Sequence, residues 1–180
     1  MVAMQPSLQT ERLLLRPFRL DDAPEVQRLA GDREVASTTL LIPHPYKDGM
    51  AEAWIATHEE QFAEGLQAVF AIVRKADQRL LGAIGLSIKS EHARAELGYW
   101  IGRPYWNQGY ATEAAAAVVR YGFEALGLNR VFAQHMVRNP ASGRVMQKIG
   151  MQHEGRLRQH VQKWDQFEDV EIYSLLRGDG

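Results

Sequence analysis

The chain contains no cysteine. Disulfides, thiolate metal sites and a cysteine nucleophile are thereby excluded, so any group transfer goes through another residue or directly to its acceptor. Long apolar runs are also missing: none approaches the ~20 residues of a membrane-spanning helix. Residues 1–9 have neither the basic nor the apolar region of a secretion signal. The cytoplasm is therefore the expected location, with no membrane partner. Neither sign of charge is in excess. A formal net charge of −1 gives no bulk attraction to nucleic acid, and no such partner is expected. The six histidines, at 44, 58, 92, 135, 153 and 160, include no close pair at metal-ligand spacing, so no metal site is expected either.

What is present is patterned apolar sequence. Hydrophobic residues make up 46% and charged residues 24%, the proportions of a globular protein, and the length suits one domain over residues 1–180. Residues 8–16 read as a first strand ended by Pro17. Residues 20–30 read as a helix with an Asp as N-cap and Gly31 as its stop. Residues 38–47 contain Pro43 and Pro45 and read as a loop. Residues 48–65 place Trp54, Ile55, His58 and Phe62 at helical spacing and predict a second helix. From Gln67 the pattern changes, and residues 67–74, 79–88 and 93–101 predict an antiparallel meander. A helix over about residues 109–126, stopped by Gly127, leads to a strand at 130–137. Asn139 as N-cap and Pro140 at the first helical position then open another helix, which Gly150 ends. Residues 151–161 and 170–176 close the chain as a hairpin around Lys163-Trp164-Asp165. The expected fold is α/β, with a mixed sheet in the order β-α-α-β-β-β-α-β-α-β-β and helices on both faces. The unit from Glu96 to Val137 should be parallel and right-handed.

The chain is organised around Trp106-Asn107-Gln108-Gly109-Tyr110-Ala111-Thr112-Glu113. A glycine-containing turn that opens a helix aims unpaired backbone N–H groups in one direction, at the positive end of the helix dipole, and so suits phosphate. The spacing is neither that of a P-loop nor the three-glycine dinucleotide pattern. By itself it fits an ordinary strand-to-helix connection equally well. Its neighbours are more informative. Glu96-Leu97-Gly98-Tyr99-Trp100-Ile101 precedes it, and Asn139-Pro140-Ala141-Ser142 and Lys148-Ile149-Gly150 follow. Together these resemble the GNAT superfamily of acyl-CoA-dependent N-acetyltransferases. Thr10-Glu11-Arg12-Leu13-Leu14-Leu15-Arg16-Pro17 looks like the branch containing the ribosomal-protein N-terminal alanine and serine acetyltransferases. The resemblance covers essentially the whole chain.

The resemblance implies a splayed sheet, acetyl-CoA as cosubstrate and an amine-bearing acceptor, either a protein N-terminus or a small molecule. Self-association is compatible with this branch. It implies that Gln108, Gly109, Tyr110, Ala111 and Thr112 hold the pyrophosphate, while Trp106 stands where the family carries Arg or Gln. Tyr99, Trp100 and Ile101 would run along the pantetheine arm through their backbone, leaving their side chains free to pack. Asn139 matches the family's cofactor-contacting Asn, and is equally placed as a helix N-cap.

An amine attacks a thioester only when neutral, and reference pKa values of ~8 for an α-amine and ~10.4 for a lysine require a base or water relay near neutral pH. Glu96 is the candidate base, since a carboxylate within an apolar strand is costly unless paired or set in a cleft. A salt bridge to Arg94 or Arg138 is its alternative. Ser142 matches the Asn-x-x-Ser spacing that the branch uses at the thiol end, whereas Met146 stands where many members carry a tyrosine. Ser142 would serve as proton donor, or instead supplement the helix cap or contact the cofactor. His135 reads as a buried, hydrogen-bonded residue, and Trp54, Phe62 and Phe70 as core. Tyr105, Trp106 and Tyr110 should cover the cofactor. The acceptor site is expected between residues 38–46 and the hairpin tip, where Asp165, Glu168 and Asp169 offer negative charge. A rival from another class is an acyl-CoA-binding sensor on the same fold, which needs neither Glu96 nor an open acceptor groove.

Overall fold

The computed structural model describes residues 4–179, so the first three residues of the stretch read for a leader lie outside it. The expected first strand is two. Strands β1 (Leu8–Gln9) and β2 (Leu13–Arg16) pair antiparallel across a turn in which Thr10 Oγ1 accepts the Leu13 N–H at 3.0 Å. A local side-chain bond of this kind offers the backbone a turn in place of a continuing strand. Helix α1 (Ala23–Ala30) follows, but Asp22 does not cap it: its carboxylate takes two 2.8 Å bonds from the Arg16 guanidinium. A short α2 (Arg33–Ser37), capped by Asp32, was not expected. The segment read as one helix is also two, α3 (Met50–Ala56) and α4 (His58–Ala63). They part at Thr57, whose hydroxyl and N–H both turn back to the Trp54 carbonyl, at 2.8 and 3.2 Å.

The meander forms as β3 (Gln67–Arg74), β4 (Leu80–Lys89) and β5 (Arg94–Ile101). Then come α5 (Tyr110–Glu124), β6 (Arg130–Met136), α6 (Pro140–Lys148), β7 (Gln152–Lys163) and β8 (Gln166–Leu176). Trp164 and Asp165 take positive φ, as the two-residue turn joining β7 to β8 requires. One eight-stranded sheet results, in the order β1-β2-β3-β4-β5-β6-β8-β7, and only β5 and β6 run parallel. Alternation along β3 builds a core on each face. Phe70 and Ile72 join the larger cluster with residues of α5, and Ala71 and Val73 join the smaller one with residues of α1 and α3. Among the described residues no helix is long and apolar enough to cross a membrane.

His58 is a structural liability with a measurable consequence. It is 7% exposed, wedged between Phe18 and Trp54, and neither ring nitrogen has a hydrogen-bond partner among the described residues. Burial pushes its pKa down from 6.5 to about 4. The fold therefore favours neutral His58. That contribution is complete above the unfolded value and is lost as pH falls through 6.5 toward 4. Between pH 7 and pH 4.5 the expected loss is about 2 kcal/mol. Urea midpoints for the wild type and His58→Leu test this: the variant should lose that component of the acid dependence, and equal acid sensitivity in both would contradict it.

Candidate active site

The site begins where two parallel strands come apart. β5 and β6 pair only from Arg94 to Glu96 against Arg130 to Phe132. Beyond this, residues 97–101 keep their β4 partners while residues 133–136 pair with β8. A cleft of about 1120 Å³ opens at the fork, running from the turn at residues 107–112 past α6 to the loop at 38–43.

Gly109 makes the turn. It has φ 80°, a left-handed conformation that glycine adopts without steric cost, and Asn107 before it has φ 59°. The first intrahelical bond of α5 runs from Glu113 N–H to Gly109 O at 3.1 Å, so the N–H groups of Tyr110, Ala111 and Thr112 lie ahead of the helical ladder. No side chain caps them, and all three residues line the cleft. Trp106 holds the turn in place, since its indole Nε1–H donates to the Ile101 carbonyl at 2.7 Å and ties the end of β5 to it. Tyr105 and Tyr110 also line the cleft but are largely buried in the core beneath the turn.

Glu96 stands at the vertex of the fork and faces the cleft. Its carboxylate accepts a 3.0 Å bond from Gln134 Nε2. Neither arginine considered as its partner pairs with it, since Arg94 lies over the Phe132 ring and Arg138 bonds Glu168 at 2.7 Å. Across the gap, the Tyr99 hydroxyl lies 2.9 Å from Ser142 Oγ and donates toward the Ser142 carbonyl at 3.0 Å. Burial pushes the Tyr99 phenol up to about 12, outweighing the opposing bond to Ser142. Asn139 lines the cleft and makes no side-chain cap bond, which leaves its amide without a partner among the described residues. Trp100 and Ile101 line the cleft as well. Met146 is buried core, and His135 is buried with Nδ1 2.8 Å from the Met136 carbonyl.

At the far end, the loop at residues 38–43 lines the cleft, together with Tyr46. Of the acidic residues expected here, none is among those lining the cleft: Glu168 is paired with Arg138, Asp169 accepts the Gln159 N–H at 2.8 Å, and Asp165 is exposed in the hairpin turn. Lys163 fastens this end. It is buried, and its Nζ donates to the carbonyls of Ile42 and Leu40 at 3.0 and 3.4 Å, bracing the loop against the hairpin tip. Burial, with Arg138 nearby, lowers its pKa.

The model of the acetyltransferase (GNAT) domain family matches residues 12–152. The chain belongs to the GNAT acetyltransferase family. The uncharacterized N-acetyltransferase YoaA of Bacillus subtilis (strain 168) is 34% identical, over 97% of this chain and 98% of its own length. A GNAT-family acetyltransferase structure from Bacillus anthracis is 27% identical, with a TM-score of 0.84 over 95% of this chain and 98% of its own. RimL, a ribosomal L7/L12 α-N-protein acetyltransferase solved with CoA, has a TM-score of 0.89 at 16% identity, covering 97% of this chain and 100% of its own.

This GNAT chain is thus an acyltransferase. Three residues of its site escaped the sequence. Gln134 approaches Glu96 across 38 positions, Lys163 reaches Ile42 across 121, and Arg12 reaches Gln108 across 96. Arg12 carried a sequence signal as part of the N-terminal Thr-x-Arg stretch and Lys163 as part of the hairpin tip, but neither contact did.

Proposed function

We propose that this GNAT domain moves an acetyl group from acetyl-CoA directly to a primary amine, a protein N-terminal α-amine or a small-molecule amine, with no covalent enzyme intermediate. The observation that carries this is Glu96 at the vertex of the fork, free of any cationic partner among the described residues, facing the cleft that Ser142 also lines. The backbone N–H groups of residues 108–112 suit the pyrophosphate, and the unpaired edge of β5 suits the pantetheine amides. Asn139, with its amide uncommitted, contacts the cofactor. Glu96 removes a proton from the bound ammonium, directly or through water. The amine nitrogen then bonds to the thioester carbon, the C–S bond breaks, and nitrogen gives up its second proton to solvent, to which Glu96 later returns the first. The sulfur leaves as a thiolate hydrogen-bonded by Ser142, and takes a proton from solvent. A relay from Tyr99 through Ser142 runs uphill, because burial pushes the phenol up to about 12 and a thiol has a reference value of ~8.5.

Ser142→Ala should therefore lower kcat only about tenfold, the worth of one hydrogen bond to a charged group. Tyr99→Phe in the same background should cost little more. A Ser142→Ala loss beyond about a thousandfold in stopped-flow turnover would restore a proton-donor role.

The function itself is tested by hydrolysis-corrected CoA release with a panel of amines and N-terminal peptides. Acetylated product is expected, and acceptors with one cationic amine should be preferred to polyamines, because Glu96 is the single carboxylate lining the cleft among the described residues. Tight acetyl-CoA binding without turnover across the panel would favour the sensor instead.

A further inference from the structure

Thr10, Arg12 and Glu113 form a closed cluster joining the β1–β2 turn to the first turn of α5. Glu113 Oε1 accepts from Thr10 Oγ1 at 2.6 Å and from the Arg12 backbone N–H at 2.8 Å, while Oε2 accepts from Arg12 Nε at 2.7 Å. Burial opposes ionisation of Glu113, but the bonds from Thr10 and Arg12 hold its carboxyl below the usual range. The same guanidinium lies over the Tyr110 ring, 4.5 Å from its centroid, and donates from Nη1 to the Gln108 carbonyl at 2.9 Å.

That last bond has a directional consequence. A trans peptide points its C=O and N–H in opposite directions. Arg12 is not among the residues lining the cleft, whereas Gln108 and Gly109 are. By holding the Gln108 carbonyl on its own side, Arg12 turns the Gly109 N–H away from itself. The cluster also settles a charge conflict. Glu113 places a carboxylate in the first turn of α5, at the helix end where an anion would bind, and Arg12 neutralises it.

We infer that Arg12 is a positioning residue for the pyrophosphate turn, acting through the Gln108–Gly109 peptide and through Glu113. This rests on the assignment of residues 108–112 to the CoA pyrophosphate. It also bears on Trp106: the Arg or Gln that the family carries at that position is absent, and the N-terminal hairpin braces the turn with Arg12.

The test compares CoA with pantetheine, which has the same thiol arm and no phosphate, by NMR titration of the wild type, Arg12→Gln and Arg12→Lys. Arg12→Gln should weaken CoA about tenfold and pantetheine less than about twofold. Arg12→Lys should weaken CoA by about threefold, because one ammonium cannot reproduce a fork spanning Glu113 and Gln108; it carries the comparison alone if the Gln variant does not fold. Equal losses for both ligands, or no loss for either, would overturn the inference. Variants that match a wild type binding CoA well remove the inference alone. A wild type that does not bind CoA removes the proposed function with it.

Discussion

Glu96→Gln is expected to lower kcat by about 100-fold or more while leaving the KM for acetyl-CoA within about twofold. The substitution is nearly isosteric, and a glutamine oxygen can still accept the bond that Gln134 Nε2 makes at 3.0 Å, so the fork should keep its shape. What disappears is the ability to take a proton from the acceptor. The variant must wait for amine that has already lost its proton, so its rate should climb with pH as the free-amine fraction grows, more steeply for a lysine (~10.4) than for an α-amine (~8). Steady-state rates across pH for both enzymes check this. Full kcat with an unchanged pH profile would remove Glu96 from the base role.

Gly109→Val should raise the dissociation constant for CoA by about 100-fold or more. The residue has φ 80°, and a Cβ placed there would lie 3.3 Å from Arg12 Nη2. A β-branched side chain is strongly disfavoured in that conformation, at about 1–3 kcal/mol. Relief comes by rotating the peptides on either side, which turns the N–H groups out of the cleft and breaks the Arg12 bond to Gln108. Gly109→Asn is the control, since asparagine tolerates the left-handed region, and it should stay within about tenfold of the wild type. Calorimetric titration with CoA distinguishes them. Undiminished affinity in Gly109→Val would place the phosphate elsewhere.

The residues singled out for the candidate site come together in one cleft, and they were legible as candidates because their patterns are local. Gly109 before a helix, Glu96 in an apolar strand and the Asn139-to-Ser142 spacing are each short patterns whose conformational or chemical demand shows in a few residues. The element order was legible for the same reason, from the periodicity of β3 to β6 and the stop signals after α5 and α6. The misses have two physical origins. Some are local bonds that periodicity does not register: Thr10 turns the first strand into a hairpin, and Thr57 divides α3 from α4. Others are side-chain partnerships, made or withheld, that only the folded chain assigns. Asn139 carries the pattern of an N-cap yet leaves its side chain unused, and Glu168, read as available charge, is committed to Arg138. Trp106, a departure from the family's turn, gains its meaning only once Ile101 is seen beside it.

The most direct test of the account is a structure of the protein with CoA bound. The pyrophosphate should lie within hydrogen-bond distance of the backbone N–H groups of residues 108–112, with the pantetheine along the free edge of β5 and its sulfur at the Ser142 hydroxyl, on the side facing Glu96. A pyrophosphate held away from this turn, or a sulfur out of reach of both Ser142 and Glu96, would contradict it.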